Sequence, residues 1–318
     1  MMILLLLMLG LVLLYFGAEM LVKGAVEVAR RMGVGPLVIG LTVVAFGTSA
    51  PELTVSTLAA LGGQGDIAMT NVVGSNIFNV AVILGLAALI CPIRITAQVV
   101  KVDMPLMILA SLICLVVSAD RYLSRIEGIL LFLGITAYIL FSYHLAYRKS
   151  ADPLPAEMDA SPKAASSAAA GSWITNVVKI AVGLGLLVAG SKAFVEGAVQ
   201  LAQRLDIPEA VIGLTIISAG TSLPELATSV VAAMRKQPDI AVGNIVGSNI
   251  FNIMAILGIS SMVSPYSAKG LTGIDLAVML AAAVIALPLM WSRFTLSRLE
   301  GAGLLAGYLI YLAYLWPK

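Results

Sequence analysis

The segment GLTVVAFGTSAPEL at residues 40–53 decides the fold, because it returns as GLTIISAGTSLPEL at residues 213–226, identical at nine of fourteen positions. A second segment, NVVGSNIFN at 71–79, returns as NIVGSNIFN at 244–252, identical at eight of nine positions. The offset is 173 residues in both cases, and the same offset relates SRIEG to SRLEG nearer the end of each half. The chain is therefore an internal duplication.

The composition is that of a membrane protein. Of 318 residues, 60% are apolar and 11% are charged, whereas soluble domains average about 45–50% and about 25%. Apolar runs of 18 or more residues recur along the chain, which is the length a helix needs to cross about 30 Å of hydrocarbon. We expect a multi-pass protein of the cell (inner) membrane. The net charge of +2 is too small to indicate a nucleic-acid partner.

Glycine, proline and charged residues divide the apolar runs into ten predicted transmembrane helices, an all-α polytopic fold. The helices start near Ile3, Pro36, Ile67, Met104, Ile126, Trp173, Glu209, Ile240, Ile274 and Leu299. Residues 148–172 are rich in alanine, serine and proline, which predicts a flexible cytoplasmic linker. The linker separates a first five-helix repeat, residues 1–147, from a second one, residues 173–318.

The number of helices in each half predicts an inverted repeat. Five is odd, so the second half enters the membrane from the side opposite to the first. Inverted repeats with broken helices are typical of secondary transporters, which bind their substrates near the midplane. With the amino terminus outside, eleven basic residues lie in cytoplasmic loops and five outside. The positive-inside rule therefore predicts that both termini lie outside the cytoplasm.

Four polar side chains are predicted to meet near the midplane. At 1.5 Å per residue, Glu52 lies about 5 Å from the centre of the second span, and Asn79 lies at the centre of the third. The repeat puts Glu225 and Asn252 in the mirrored positions. A carboxylate at this depth costs about 3 kcal/mol on insertion scales, which disfavours a role in helix packing alone.

Two prolines predict breaks in the helices that carry these glutamates. Pro51 and Pro224 lack the N–H groups that would bond the carbonyls of Gly47 and Gly220. Freed carbonyls are tolerated at that depth where they are buried in protein or line a wet cavity. With the carboxylates and amides they predict an all-oxygen site of the kind that binds Ca²⁺ or Na⁺. Its hydroxyl groups come from Thr48, Ser49, Thr221, Ser222, Ser75 and Ser248.

The paired GTSxPE and GSNIFN motifs closely resemble the alpha repeats of the cation/calcium antiporter superfamily, specifically those of prokaryotic sodium/calcium exchangers. The resemblance covers both halves and is strongest in spans two, three, seven and eight. Several relatives place aspartate where this chain has Asn252, so this site would have only two carboxylates. The resemblance implies alternating access and ion ligands at Glu52, Glu225, Thr48, Ser49, Thr221, Ser222, Ser75, Asn79, Ser248 and Asn252, with the backbone oxygens of Ala45 and Ser218.

We therefore expect a secondary antiporter that exchanges Ca²⁺ for Na⁺. Exchange is expected to be electrogenic and independent of K⁺, by a chain that functions as a monomer in the bilayer, with no cofactor and no enzymatic activity. Three alternatives stay open: a Ca²⁺/H⁺ antiporter, a passive cation channel and a membrane scaffold without transport. Channels usually build a pore from rings of identical subunits or repeats, which a two-fold inverted repeat does not resemble.

Overall fold

The structure is a computed structural model that describes residues 2–151, 172–205 and 218–315, and nearly all of them are helical. Four short strands lie between the helices: β1 Ile93–Arg94, β2 Tyr122–Leu123, β3 Tyr266–Ser267 and β4 Thr295–Leu296. The helices are α1 Met2–Met32, α2 Pro36–Thr48, α3 Ala50–Leu61, α4 Gly65–Ile90, α5 Val99–Val117, α6 Arg125–Ala151, α7 Trp173–Arg204, α8 Ser218–Thr221, α9 Leu223–Met234, α10 Pro238–Val263, α11 Gly273–Trp291 and α12 Arg298–Leu315.

The helix lengths make this a polytopic helical membrane protein. Among the described residues, seven helices are long and apolar enough to cross a membrane. Helices α2 and α3 form an eighth candidate, bent by 46° at Ser49. The predicted start of the seventh span at Glu209 and nearly all of the predicted linker 148–172 lie outside the described residues, although α6 continues to Ala151.

Helix α5 begins earlier than the sequence indicates. Its predicted start was Met104, beside Pro105, a residue common in the first turn of a helix. In the structure a π-helical turn over Val99–Asp103 precedes that proline and joins the helix without a break. The span therefore begins at Val99 and has 19 residues.

Two strand pairs lie at opposite ends of α5. Strand β1 precedes this helix and pairs antiparallel with β4, and strand β2 follows it and pairs antiparallel with β3. A 19-residue helix is about 28 Å long, so the two pairs lie on opposite faces of the membrane. We call them the β1–β4 face and the β2–β3 face.

Helices α4 and α10, which carry the NxVGSNIFN motifs, form the centre of the molecule. In the most apolar stretch of α10, 94% of the residues are buried, against 22% in α7. Helices α1 and α7 pack against each other through glycines. A Cβ on Gly17 would lie 2.8 Å from the carbonyl oxygen of Gly183, and a Cβ on Gly183 would lie 2.8 Å from the carbonyl oxygen of Gly17. Small residues allow this close helix contact.

Candidate cation site

Both GTSxPE motifs break their helices at the serine. Ser49 has φ −81° and ψ 7°, and Ser222 has φ −89° and ψ 6°, so the helix axis changes direction at each. A proline then occupies the first turn of the following helix, where the missing N–H removes no helical hydrogen bond. Glu52 and Glu225 follow directly in the first turns of α3 and α9, and both are buried, with at most 1% of their surface exposed.

Each buried glutamate accepts a hydrogen bond from the other half of the chain. The Ser49 hydroxyl donates to Glu225 Oε1 over 2.9 Å, and the Ser222 hydroxyl donates to Glu52 Oε1 over 2.9 Å. The two helix breaks therefore face each other, and the two carboxylates lie between them in the interior, where the repeat places Glu52 and Glu225.

Four asparagine side chains join the central helices α4 and α10 by hydrogen bonds. Asn79 Nδ2 donates to Asn249 Oδ1, and Asn252 Nδ2 donates to Asn76 Oδ1, each over 3.0 Å. The side chains of Asn76 and Asn249 in turn donate to each other's backbone carbonyls over 3.2 and 3.4 Å. A π-helical turn begins at Asn79 and another at Asn252. Such turns are frequent at functional sites.

Six buried oxygen atoms without a hydrogen-bond partner belong to three residue pairs related by the 173-residue offset. They are Oε2 of Glu52 and Glu225, Oγ of Ser75 and Ser248, and Oδ1 of Asn79 and Asn252. Native proteins pair most buried polar atoms, and leaving one unpaired costs about 1–3 kcal/mol. A metal cation accepts lone pairs from oxygen, so these six symmetrically placed oxygen atoms could act as its ligands.

Other predicted ligands already have partners within the protein. The Thr48 hydroxyl donates to Asn244 Oδ1 over 3.0 Å, and the Thr221 hydroxyl donates to Asn71 Oδ1 over 3.4 Å. The Ala45 carbonyl accepts the backbone N–H of Ser49 over 3.0 Å. The Thr48 hydroxyl also lies 3.3 Å from this carbonyl oxygen. Ser218 is the first residue of α8, and its side chain lies outside the described residues.

Besides Asn76 and Asn249, two further asparagines at the site, Asn71 and Asn244, were not among the predicted residues. Asn71 Nδ2 donates to the backbone carbonyl of Glu52 over 3.3 Å and to Ser56 Oγ over 2.9 Å. Asn244 makes the same contacts with Glu225, over 3.3 Å, and with Ser229, over 3.0 Å. Each asparagine opens its NxVGSNIFN motif, so identity between the repeats was the signal that marked it. These contacts hold the first turn of the glutamate helix against the central helix.

Basic side chains do not neutralise the two glutamates. In the described part of the chain, the ion pairs join Glu19 to Lys23 and Arg235, and Glu27 to Arg30, all outside the site. With both carboxylates ionised the site carries a charge of about −2 in a buried setting, where an uncompensated charge is costly. The fold and the site thus define a helical membrane protein with a buried, acidic cluster of oxygen atoms of the kind that hard cations bind.

Comparison with known proteins agrees with this class. The family described as "Sodium/calcium exchanger protein" matches residues 2–144 and 175–316. The putative antiporter CaxA of Alkalimonas amylolytica is 40% identical over 309 residues, which cover 95% of each chain. The sodium/calcium exchanger MaX1 of Methanosarcina acetivorans is 34% identical and is covered over 98% of each chain. The structure of the sodium-calcium exchanger NCX_Mj soaked with Na⁺ and Ca²⁺ superposes with a TM-score of 0.83 at 30% identity, covering 100% of this chain and 99% of that one.

This chain belongs to the sodium/calcium exchanger family, within the cation/calcium antiporter superfamily of prokaryotic type. The resemblance drawn from the GTSxPE and GSNIFN motifs is confirmed over both halves.

Proposed function

We propose that this protein exchanges Ca²⁺ for Na⁺ across the cell membrane by alternating access. The observation that carries the proposal is the set of six buried oxygens without hydrogen-bond partners, two of them from glutamates that form no ion pair with a basic side chain in the described part of the chain. Ca²⁺ takes six to eight oxygen ligands. The names of MaX1 and NCX_Mj, both sodium/calcium exchangers, support the same pair of ions.

The charge of the site explains why transport is coupled. Glu52 and Glu225 together balance one Ca²⁺. Without an ion, two ionised carboxylates would stay buried and unpaired, and breaking a buried ion pair costs about 3–5 kcal/mol. The empty carrier therefore does not change sides, and Ca²⁺ leaves only when other cations replace it.

The competing coupling ion is the proton, because protonation would also neutralise both glutamates. Two protons, however, would leave the hydroxyls of Ser75 and Ser248 and the amide oxygens of Asn79 and Asn252 without partners. Sodium ions use oxygens of all these types. The four additional oxygens therefore favour Na⁺.

Potassium is not required under this proposal. Asn79 and Asn252 are neutral amides whose nitrogens donate to Asn249 and Asn76, so the described residues of the site supply no third negative charge for an additional cation. The charge of an added K⁺ beside Ca²⁺ would not be balanced by any negative charge in this region of low dielectric.

The same charges predict that exchange is electrogenic. Three Na⁺ ions at the site would leave a net charge of about +1. Exchange at three to one would move net charge and respond to voltage by about 2.3 kcal/mol per charge per 100 mV.

The strand pairs support two inverted repeats and ten membrane crossings. The 173-residue offset takes β1 to β3, and these equivalent strands lie on opposite faces, because β3 pairs with β2. Equivalent segments on opposite faces are what inversion requires. Because β1 and β4 pair on one face, the chain must cross the membrane an even number of times between residues 94 and 295. A complete seventh span that ends in α9 makes this number even.

The distribution of basic residues favours an orientation in which both termini lie outside the cytoplasm and the β1–β4 face is cytoplasmic.

The test is radiocalcium uptake into proteoliposomes that contain the purified protein. An outward Na⁺ gradient should drive uptake, whereas an outward proton gradient without sodium should not. Glu52→Gln and Glu225→Gln should each abolish uptake, and Glu127→Gln, which alters a helix cap far from the site, should not. Uptake driven by a proton gradient alone would show that the coupling ion is H⁺ and not Na⁺. Uptake that needs no counter-ion would show that the protein is a channel and not an antiporter.

A further inference from the structure

A groove in the lipid-facing surface lies between α4, α11 and α12 and has a volume of about 430 Å³. Most of the residues that line it are apolar. Ile77 and Ala81 of α4 are buried and form its floor, while Ile285 of α11 and Gly303 and Gly307 of α12 are exposed and form its edges. An exposed apolar groove on membrane-spanning helices opens to the hydrocarbon of the bilayer. We call it the α11–α12 groove.

The groove has about the length of one lipid leaflet. Along α12 its lining runs from Glu300 to Tyr311, which is about 16 Å of helix, whereas the hydrocarbon of a whole bilayer is about 30 Å thick. Glu300 lies in the first turn of α12, next to β4, so this end of the groove is at the β1–β4 face. At the other end the Tyr311 hydroxyl donates to Asp275 Oδ1 over 2.6 Å, which joins α12 to α11. A chain that enters at the β1–β4 face thus ends near the middle of the membrane.

The other repeat fills the equivalent space with larger side chains. The 173-residue offset relates Ala81 to Met254 and Gly303 to Leu130. A Cβ on Gly134, about one helical turn after Leu130, would lie 3.5 Å from Met254 Sδ. A packing requirement shared by both repeats would select similar residues in both, so it does not explain the groove. Its small residues leave room for a ligand.

Three exposed arginines surround the end of the groove at the β1–β4 face: Arg94, Arg293 and Arg298. The first lies in β1, and the other two flank β4, its partner strand. Arg298 Nη2 lies 3.5 Å from the carbonyl oxygen of Ile90, the last residue of α4. Among the described residues, the three arginines form no ion pair with a carboxylate. The carboxylate of Glu300, which lines this end, accepts two hydrogen bonds from Ser297. Three arginines and one glutamate give these side chains a net charge of +2.

A phospholipid matches both the apolar groove and its basic end. An acyl chain would fill the space between α11 and α12, and basic pockets between transmembrane helices bind anionic head groups. A second copy of the chain matches less well, although Gly303 and Gly307 have the spacing of a small-residue helix contact. Two copies with the same orientation in the membrane would meet in a two-fold contact that brings two identical arginine clusters together. A phosphate group neutralises the cluster instead.

We infer that the α11–α12 groove binds one anionic phospholipid from the leaflet at the β1–β4 face. Its acyl chain lies between α11 and α12, and its phosphate lies between Arg293 and Arg298. The floor residues Ile77 and Ala81 flank Asn79 on α4, so the lipid packs against the part of the helix that carries a predicted ion ligand. The inference does not depend on which ions are exchanged, because lipid binding is measured without transport.

Native mass spectrometry of the purified, delipidated protein counts the bound lipids. The probe is phosphatidylglycerol, and phosphatidylcholine with the same acyl chains is the matched lipid. We expect the wild type to bind one phosphatidylglycerol per chain and to bind phosphatidylcholine about tenfold more weakly, because the choline cation is repelled by the arginines. Equal binding of the two lipids would overturn the phosphate site.

Filling the groove should remove this lipid. Gly303→Leu introduces the side chain that the other repeat has at this position, and Ile285→Trp fills the groove from α11. Each variant should weaken phosphatidylglycerol binding by about tenfold or more, whereas Ala306→Leu, at an exposed position of α12 outside the groove, should not. Binding that both filling variants leave unchanged would contradict the inference. A wild-type dimer that Gly303→Leu converts to a monomer would show that the groove holds a second copy and no lipid.

The arginines are tested by a double variant. Arg293→Gln combined with Arg298→Gln should weaken phosphatidylglycerol binding about 30-fold and reduce the preference over phosphatidylcholine, since each arginine contributes a factor of about five. The matched control is Arg125→Gln, because Arg125 is the counterpart of Arg298 in the other repeat and lies next to β2 at the β2–β3 face. An equal loss in this control, or no loss in the double variant, would refute the assignment of the head group to the arginine cluster.

Discussion

Replacing Glu225 by glutamine separates the charge of the site from its shape. Glutamine keeps an oxygen that can accept the Ser49 hydroxyl, now 2.9 Å from the carboxylate, but it removes one of the two negative charges that balance Ca²⁺. The bound ion would leave about +1 in a buried setting, and breaking a buried ion pair costs about 3–5 kcal/mol. Because 1.4 kcal/mol is a factor of ten, Ca²⁺ affinity should fall by about 100- to 4,000-fold.

Thermal unfolding of the purified protein in detergent measures this loss. At a Ca²⁺ concentration of a thousand times Kd, the ion stabilises the wild type by about 4.1 kcal/mol, and a hundredfold weaker site gains about 1.4 kcal/mol at the same concentration. Without Ca²⁺, Glu225→Gln should be at least as stable as the wild type, since it buries one charge fewer. Glu52→Gln should behave alike, and Glu127→Gln should retain the full shift. A wild-type calcium shift in Glu225→Gln would refute the reasoning.

Three further predictions concern coupling, orientation and packing. Because Asn252 supplies no charge, calcium flux should persist when choline replaces potassium, and clamping the membrane potential should change its rate; a strict need for potassium would contradict the charge argument. Arg30→Cys should be labelled only from the cytoplasm and Arg121→Cys only from outside; the opposite pattern would invert the topology. Gly247→Ala should destabilise the protein by about 1–3 kcal/mol through overpacking, because its Cβ would lie 2.6 Å from the Leu41 carbonyl oxygen, whereas Gly185→Ala, at an exposed position of α7, should not; equal effects on unfolding would contradict this packing.

Much of the fold could be predicted because its signals are local or repeated. Apolar runs gave most helices within a few residues of their bounds, and the second span was predicted to begin at Pro36, where α2 begins. The strand pairs could not be predicted, since each strand has two residues and joins segments about 140 to 200 residues apart. Arg235 could likewise not be matched to Glu19, because their contact depends on how α9 packs against α1.

The site residues could be predicted where the same motif occurs in both repeats. Duplication singled out Glu52 and Glu225 and implied that they meet, but it did not give the crossed pairing of each glutamate with the serine of the other half. The roles of Asn76 and Asn249 were missed, because a sequence does not show which of several asparagines on one helix faces the partner helix.

The most direct measurement is a crystal structure of the protein soaked with Ca²⁺ or Sr²⁺, with anomalous scattering to locate the ion. We predict one strong peak between Glu52 and Glu225, about 2.3–2.6 Å from an oxygen of each if the ion is Ca²⁺. Hydroxyl or amide oxygens of Ser75, Ser248 or Asn79 should complete its shell, and the peak should disappear in excess Na⁺. An anomalous peak elsewhere in the molecule, with the glutamate oxygens still unoccupied, would contradict the account.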